Sequence, residues 1–246
     1  MLKTERMDRV RAALRAQGLT QMIVCDPKSV WYLTGVAVEP YERLLALYLP
    51  TEGEPVLFLN RLFNVPEPPC RTVWHTDTDK PVAQIAEVVD AGKPLGIDKE
   101  WPAKFLIPLM ETHPGMQVVL SSDCVDDCRA CKDAEEQTLM REASRINDAV
   151  NEAAKHYIKA GMTEREVAEF IDAQFRAHGC EGPSFTTIVS FGANAADPHH
   201  EPDDTVLKEG DCVLFDMGCV KSRYCSDMTR TWFCGQPLSL IHISEP

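Results

Sequence analysis

No stretch of the sequence runs to 18 apolar residues, so none reads as a membrane-spanning helix. The first ten residues are charged throughout and lack the apolar centre of a secretory leader, which predicts a cytoplasmic protein. Basic side chains are scarce: 25 Lys and Arg stand against 38 Asp and Glu, the formal net charge is −13, and no Lys/Arg cluster offsets the deficit. Nucleic-acid readers need a basic face, so neither nucleic acid nor a membrane is an expected partner. A second Cys pair is also missing. Cys128 and Cys131 have zinc or redox spacing, but alone they read more simply as free thiols on a surface helix, as do the other cysteines of a chain without a leader. What is plentiful is apolar residue, at 44%, which is the content of a globular chain with a proper core; 246 residues suffice for one large domain or two ordinary ones.

The chemically unusual stretch is residues 210–231. Val213, Leu214 and Phe215 run into Asp216, and residues 224–232 alternate well enough for a second strand, with Gly218, Lys221 and Ser222 as turn material. A turn centred between Lys221 and Ser222 sets Met217 opposite Ser226 and Asp216 opposite Asp227, with Cβ atoms roughly 5 Å apart. Like charges so placed destabilise a sheet unless something positive compensates them. A divalent metal site does so, since two hard oxygen ligands suit a pair of cations about 3.5–4 Å apart. The other reading is a solvated or salt-bridged hairpin with Arg230 as the cation, although alternation puts Arg230 on the face opposite Asp227. In this register Cys219 and Cys225 point to opposite faces, which argues against a disulfide, and Cys225 shares the Asp216 face.

Earlier in the chain, hydrophobic spacing predicts a helix over 4–17, strands over 22–25, 30–33, 44–49 and 55–59, a helix over 82–89, a strand over 95–97, a helix over 102–111 and a strand over 117–120. That order describes a mixed α/β domain ending near residue 125, inside the polar, acidic stretch 121–131. Trp31, Tyr32 and Trp74 read as core, and His75 and His113 as structural or exposed. A long helix over 133–159 and a second, opened by a Thr163–Glu166 capping box and closed by Gly179, follow. A strand over 184–190 then leads into an irregular loop, 191–205. His199 and His200 are adjacent in that loop, so in extended chain they point opposite ways and one at most faces a metal pair.

Three motifs carry a resemblance: Asp216-Met-Gly-Cys219 with Asp227 eleven positions later in Ser226-Asp-Met-Thr-Arg-Thr231, Asn194-Ala-Ala-Asp-Pro-His-His200 upstream, and Trp31-Tyr-Leu-Thr-Gly35 near the start. Together they resemble the metallopeptidase family of Xaa-Pro aminopeptidases and prolidases, related to methionine aminopeptidase and creatinase. The resemblance implies an α/β (α+β) protein with a creatinase-type amino-terminal domain over 1–125 and an incomplete pita-bread catalytic domain over 126–237. It makes Asp216 and Asp227 the first two of five metal ligands, His199 the catalytic and substrate-binding histidine, and His200 a supporting substrate contact. The remaining ligands, one His and two Glu, belong to a later segment that this chain does not include. Residues 238–246 do not continue the family pattern and read as a non-native tail, so His242 is not recruited. Two divalent ions, manganese or cobalt, short peptides with proline at the second position, and a homodimer are further implications. The expected activity is a metal-dependent exopeptidase, with this portion inactive alone. The rivals are a non-catalytic binding protein of the same fold and a metal-free creatinase-like amidinohydrolase, and retention of both aspartates counts against each.

Overall fold

Gln21, Met22, Ile23 and Val24 are all buried, which a strand achieves only where both faces of its sheet are covered. In the computed structural model, which describes residues 2–236, this strand lies inside the first of two compact units, Met1–Cys131 and Lys132–Pro246. The tail expected over 238–246, with His242, lies outside the described residues.

The first unit runs α1 (Thr4–Ala16), β1 (Gln21–Val24), α2 (Pro27–Thr34), β2 (Ala46–Pro50), β3 (Val56–Asn60), β4 (Arg71–His75), α3 (Pro81–Ala86), β5 (Leu95–Ile97), α4 (Ala103–Thr112), β6 (Val118–Leu120) and α5 (Asp123–Ala130). Its six strands form one mixed sheet in the order β4-β3-β2-β1-β5-β6. The β1–β2 and β2–β3 pairs are antiparallel, and β3–β4, β1–β5 and β5–β6 are parallel. Alternation along the strands sorts the core into two layers. Met22, Val24, Leu47 and Leu57 pack with Met7, Val10 and Leu14 of α1 and with Cys124 and Cys128 of α5. Ile23, Ala46 and Phe58 pack on the other face with Ile85 of α3 and Leu109 of α4.

The strand expected over 30–33 is instead the middle of α2. Helix boundary signals outweigh the β preference of Val30, Trp31 and Tyr32: Asp26 accepts from the backbone of Lys28 and Ser29 at 3.3 and 2.9 Å, Pro27 opens the first turn, and Gly35 closes the last at φ 74°. Tyr32 is core, as expected, and its hydroxyl donates to Cys128 O at 3.1 Å. The polar, acidic stretch 121–131 forms α5, whose expected surface thiols are another departure. Its acids face outward while Cys124, Val125 and Cys128 are buried, so these two thiols are core rather than surface groups, and the unit extends to Cys131 instead of ending near residue 125. None of the ten cysteines forms a disulfide. The edge strand β4 was not expected; it brings His75 inside, with Nε2 donating to Leu44 O at 3.0 Å, a structural role.

The second unit contains α6 (Ala134–Tyr157), α7 (Glu164–Ala177), β7 (Gly182–Pro183), β8 (Ile188–Phe191), a 3-10 turn (Gly192–Ala196), β9 (Cys212–Met217), β10 (Cys219–Lys221), β11 (Tyr224–Cys225) and β12 (Met228–Phe233). Both expected helices are present, and Asp133–Glu136 and Thr163–Glu166 each close a reciprocal capping box. Two antiparallel three-stranded sheets follow, β12-β9-β8 and β11-β10-β7. Val213, Phe215 and Met217 of β9 pack with Ala143, Val150 and Ala154 of α6 and Val167, Ile171 and Phe175 of α7. Among the described residues no helix is long and apolar enough to cross a membrane.

Phe175 is wholly buried in this cluster. Phe175→Ala is expected to lower unfolding stability by roughly 3–5 kcal/mol, from lost transfer energy and the cavity left behind; a urea melt followed by circular dichroism measures it, and a loss below about 1 kcal/mol would show that the site collapses around the gap.

Candidate metal centre

The hairpin carrying the two aspartates turns one residue later than the sequence suggests. Lys221 pairs with Tyr224 across the two-residue loop Ser222-Arg223, and both loop residues take positive φ, 50° and 66°. That is the primed turn whose twist matches a hairpin, built here without the Gly or Asn that usually announces it. A one-residue displacement of the turn moves every cross-strand partner by two. Asp216 therefore faces Thr229, not Asp227, and Met217 faces Met228, not Ser226. Because the displacement is even, strand alternation carried through to position 227 would set Asp216 and Asp227 as diagonal neighbours, roughly 7–8 Å apart, instead of directly opposed.

The ladder is also interrupted between them. Gly218 separates β9 from β10, and Ser226 and Asp227 separate β11 from β12. Ser226 N donates to Cys219 O at 2.9 Å and Cys219 N donates to the Ser226 hydroxyl at 3.0 Å, while Ser184 Oγ donates to Ser226 O at 2.8 Å. From α6, the buried Asn147 donates to Met217 O at 3.0 Å. These contacts leave no room at position 218: a Cβ there would stand 2.0 Å from Ser226 O and 2.3 Å from Ser184 Oγ. The break turns Asp227 outward, where it is exposed, next to an open cleft of about 420 Å³ bounded by Thr229 and Arg230 of β12 and by Ser144, Asn147 and Asp148 of α6.

Asp216 is half-buried and its Oδ1 accepts from Thr229 Oγ1 at 2.8 Å, which orients the carboxylate and leaves Oδ2 open. Asp227 has no hydrogen-bond or ion-pair partner among the described residues. Arg230 does not neutralise either acid: it pairs with Phe215, on the other face, and its guanidinium donates to Thr229 O at 2.8 Å. Two neighbouring carboxylates with open oxygens, neither held in an ion pair among the described residues, form a donor set that suits a hard divalent ion. The salt-bridged hairpin left open by the sequence is absent among the described residues. Cys219 is buried and Cys225 exposed, both without a disulfide.

His199 lies in the loop after β8, with an exposed ring and a backbone N–H donating to Asp197 Oδ1 at 3.0 Å. No hydrogen bond joins it to either aspartate among the described residues. His200, expected to touch substrate, has Nε2 2.6 Å from Glu164 Oε2 and is largely buried. Spacing and motif in the sequence do not single out Glu164. Its only signal there is membership of the acidic first turn of α7, beside the capping box, and nothing local announces that it is fully buried. Glu164, His200 and Asp203 lie close enough together to mimic a metal cluster. Both Glu164 oxygens, however, are taken: Oε1 by Phe191 N and Asn194 Nδ2 at 2.7 and 3.0 Å, Oε2 by His200 and by Asp203 N at 3.1 Å. Four donors satisfy a carboxylate completely, so this cluster is a closed network, not a second ion site.

Gly218→Ala forces Ser226 or the β9–β12 ladder to move, because the obstructing atom at 2.0 Å is backbone. The expected result is a fall in melting temperature of at least several degrees, roughly the effect of 1–3 kcal/mol in a domain of this size; a melt unchanged from wild type would mean that the break tolerates a side chain.

Residues 6–131 match the family model of the Creatinase/Prolidase N-terminal domain and residues 138–243 that of Metallopeptidase family M24. An uncharacterized peptidase of Staphylococcus epidermidis is 31% identical over 232 residues, covering 93% of this chain and 66% of that protein. Among solved structures, a recombinant prolidase from Thermococcus sibiricus superposes with a TM-score of 0.86 at 29% identity, covering 96% of this chain and 67% of the other. A dipeptidase, PepE, from Mycobacterium ulcerans gives 0.86 at 30% identity, covering 95% and 65%. The chain thus spans about two thirds of the length of these relatives.

Proposed function

This chain belongs to metallopeptidase family M24, and from that premise we propose that the full protein is a metal-dependent exopeptidase that cleaves short peptides beside a proline. The observation that carries the reading is the pair Asp216 and Asp227, brought near each other by the β9–β12 ladder, each with an open carboxylate oxygen and neither in an ion pair among the described residues. Prolidase and dipeptidase relatives support the substrate class. Trimming of longer peptides from their amino end is the finer alternative within the same class, and the motif resemblance favours proline at the second position.

In this reading Asp216 and Asp227 hold two divalent ions, manganese or cobalt, together with one His and two Glu from a later segment. When bound, such ions lower the pKa of a water and polarise the scissile carbonyl. Thr229 keeps Asp216 in one rotamer, so a ligand oxygen is aimed without reorganisation. His199, on its loop with a free ring, hydrogen-bonds the substrate and stabilises charge that develops on it, while His200 supports it from behind through Glu164. A homodimer in the cytoplasm extends the same family premise.

Asp216→Ala and Asp227→Ala, made in the full protein, are each expected to lower cleavage of an Xaa-Pro dipeptide at least roughly a thousandfold, and a chelator should do the same, since the ions supply several kcal/mol of transition-state stabilisation. Cleavage that survives both the chelator and Asp227→Ala would sink the proposal. Residues 1–246 alone offer two carboxylates of an oxygen-rich set, so calorimetric titration of this portion with manganese should give a dissociation constant on the order of millimolar. Micromolar affinity would reveal ligands other than these two.

A further inference from the structure

A fully buried carboxylate that is not paired with a Lys or Arg is costly unless its hydrogen bonds are complete. Glu164 meets that condition entirely through one loop. Two of its four donors, Phe191 N and Asn194 Nδ2, precede His199, and two, His200 Nε2 and Asp203 N, follow it. The backbone completes the attachment: Glu164 N donates to Thr205 O at 3.2 Å and Arg165 N to Asp203 O at 3.1 Å, so the loop also satisfies amides in the first turn of α7. Between the two anchors the chain is short and stiff. Asp197 N donates to Asn194 O at 3.1 Å, Asp197 Oδ1 accepts from His199 N at 3.0 Å, and Pro198 restricts φ immediately before His199. His199 thus stands on a span clamped at both ends by one side chain.

We propose that Glu164 is the positioning residue of this site: it sets where the His199 ring stands by holding the loop on either side of it, with His200 as the nearer of its two downstream contacts. This rests on the reading of His199 as the substrate-binding histidine. Glutamine at 164 is a sharp probe. It keeps the volume, but either orientation of its amide turns an N–H₂ toward two donors, against Phe191 N and Asn194 or against His200 and Asp203 N.

The test uses the full protein. Amide hydrogen exchange of wild type and Glu164→Gln should show at least tenfold faster exchange over residues 191–203, with α6 and β9 unchanged; equal exchange in the two proteins overturns the proposal. Should Glu164→Gln fail to fold, His200→Ala takes its place. It should accelerate exchange over 199–203, and His200→Gln, which retains a donor, should reverse much of that; no acceleration in His200→Ala overturns the proposal. A double-mutant cycle on manganese-dependent cleavage of an Xaa-Pro dipeptide then tests the link to His199. Glu164→Gln is expected to lower kcat roughly a hundredfold in wild type, the cost of a misplaced group, and less than about threefold in His199→Ala. A loss of equal size in both backgrounds makes Glu164 a general structural residue and overturns the positioning role. Absence of any cleavage by the wild-type protein sinks the peptidase reading instead, and the exchange comparison still decides this one.

Discussion

The antiparallel ladder between β9 and β12 is the constraint on which the site depends. Side chains on paired strands share a face only when the pairing has the right parity, and here Thr229 opposite Asp216 places Asp227 two steps along on the same side. A slip of one residue in the ladder would send one acid to the helix-facing core, where Phe215 and Met217 lie, and a charge there would have neither water nor a partner. The apolar face of β9 and the acid pair therefore enforce the same register. The hydrogen bonds around Gly218 and Ser226 then break the ladder at the one place where a continuous strand would hold Asp227 flat against the sheet.

A second constraint is the buried carboxylate of Glu164. Irregular loops usually leave their polar groups to water, yet residues 191–205 turn several inward onto one acid and onto the opening amides of α7. The helix benefits as well, because its first-turn N–H groups acquire partners they would otherwise lack. Loop and helix are thus a single element, and the Thr163–Glu166 box beside it fixes where that element begins. The two Thr163 donors also hold the exposed Glu166 carboxyl below its usual range, as expected of a capping acid.

In the first unit the same economy takes another form. A sheet covered on both faces needs helices on each side, and the chain supplies them by crossing: α1, α2 and α5 pack on one face, α3 and α4 on the other. Polar groups inside are consumed locally. On the surface, Arg43 forks onto the exposed Asp77 with two 2.9 Å bonds, and that guanidinium keeps the Asp77 carboxyl below the ordinary range. Buried Asp98 accepts from the backbone of Cys25 and Asp26, while burial still raises its pKa.

Local pattern in the sequence determined a good deal: the two long helices with their capping boxes, most strands of the first unit, the family motifs, and the placing of Asp216 and Asp227 on the two arms of one hairpin. These are properties of spacing and composition within a dozen residues, where propensity, capping and alternation act. Tertiary structure decided the rest. The turn at Ser222-Arg223 takes positive φ at two residues that carry no such preference, because strand twist and the packing of Cys219 and Ser226 select the register. Asp26, Pro27 and Gly35 were visible as helix boundaries, yet the β-prone residues between them concealed α2. The burial of Glu164 had no local signal at all, since an acid in a first turn looks alike whether it meets water or a loop that begins 27 positions later. Which polar groups are brought together across such distances depends on the whole chain being folded, and sequence spacing does not encode it.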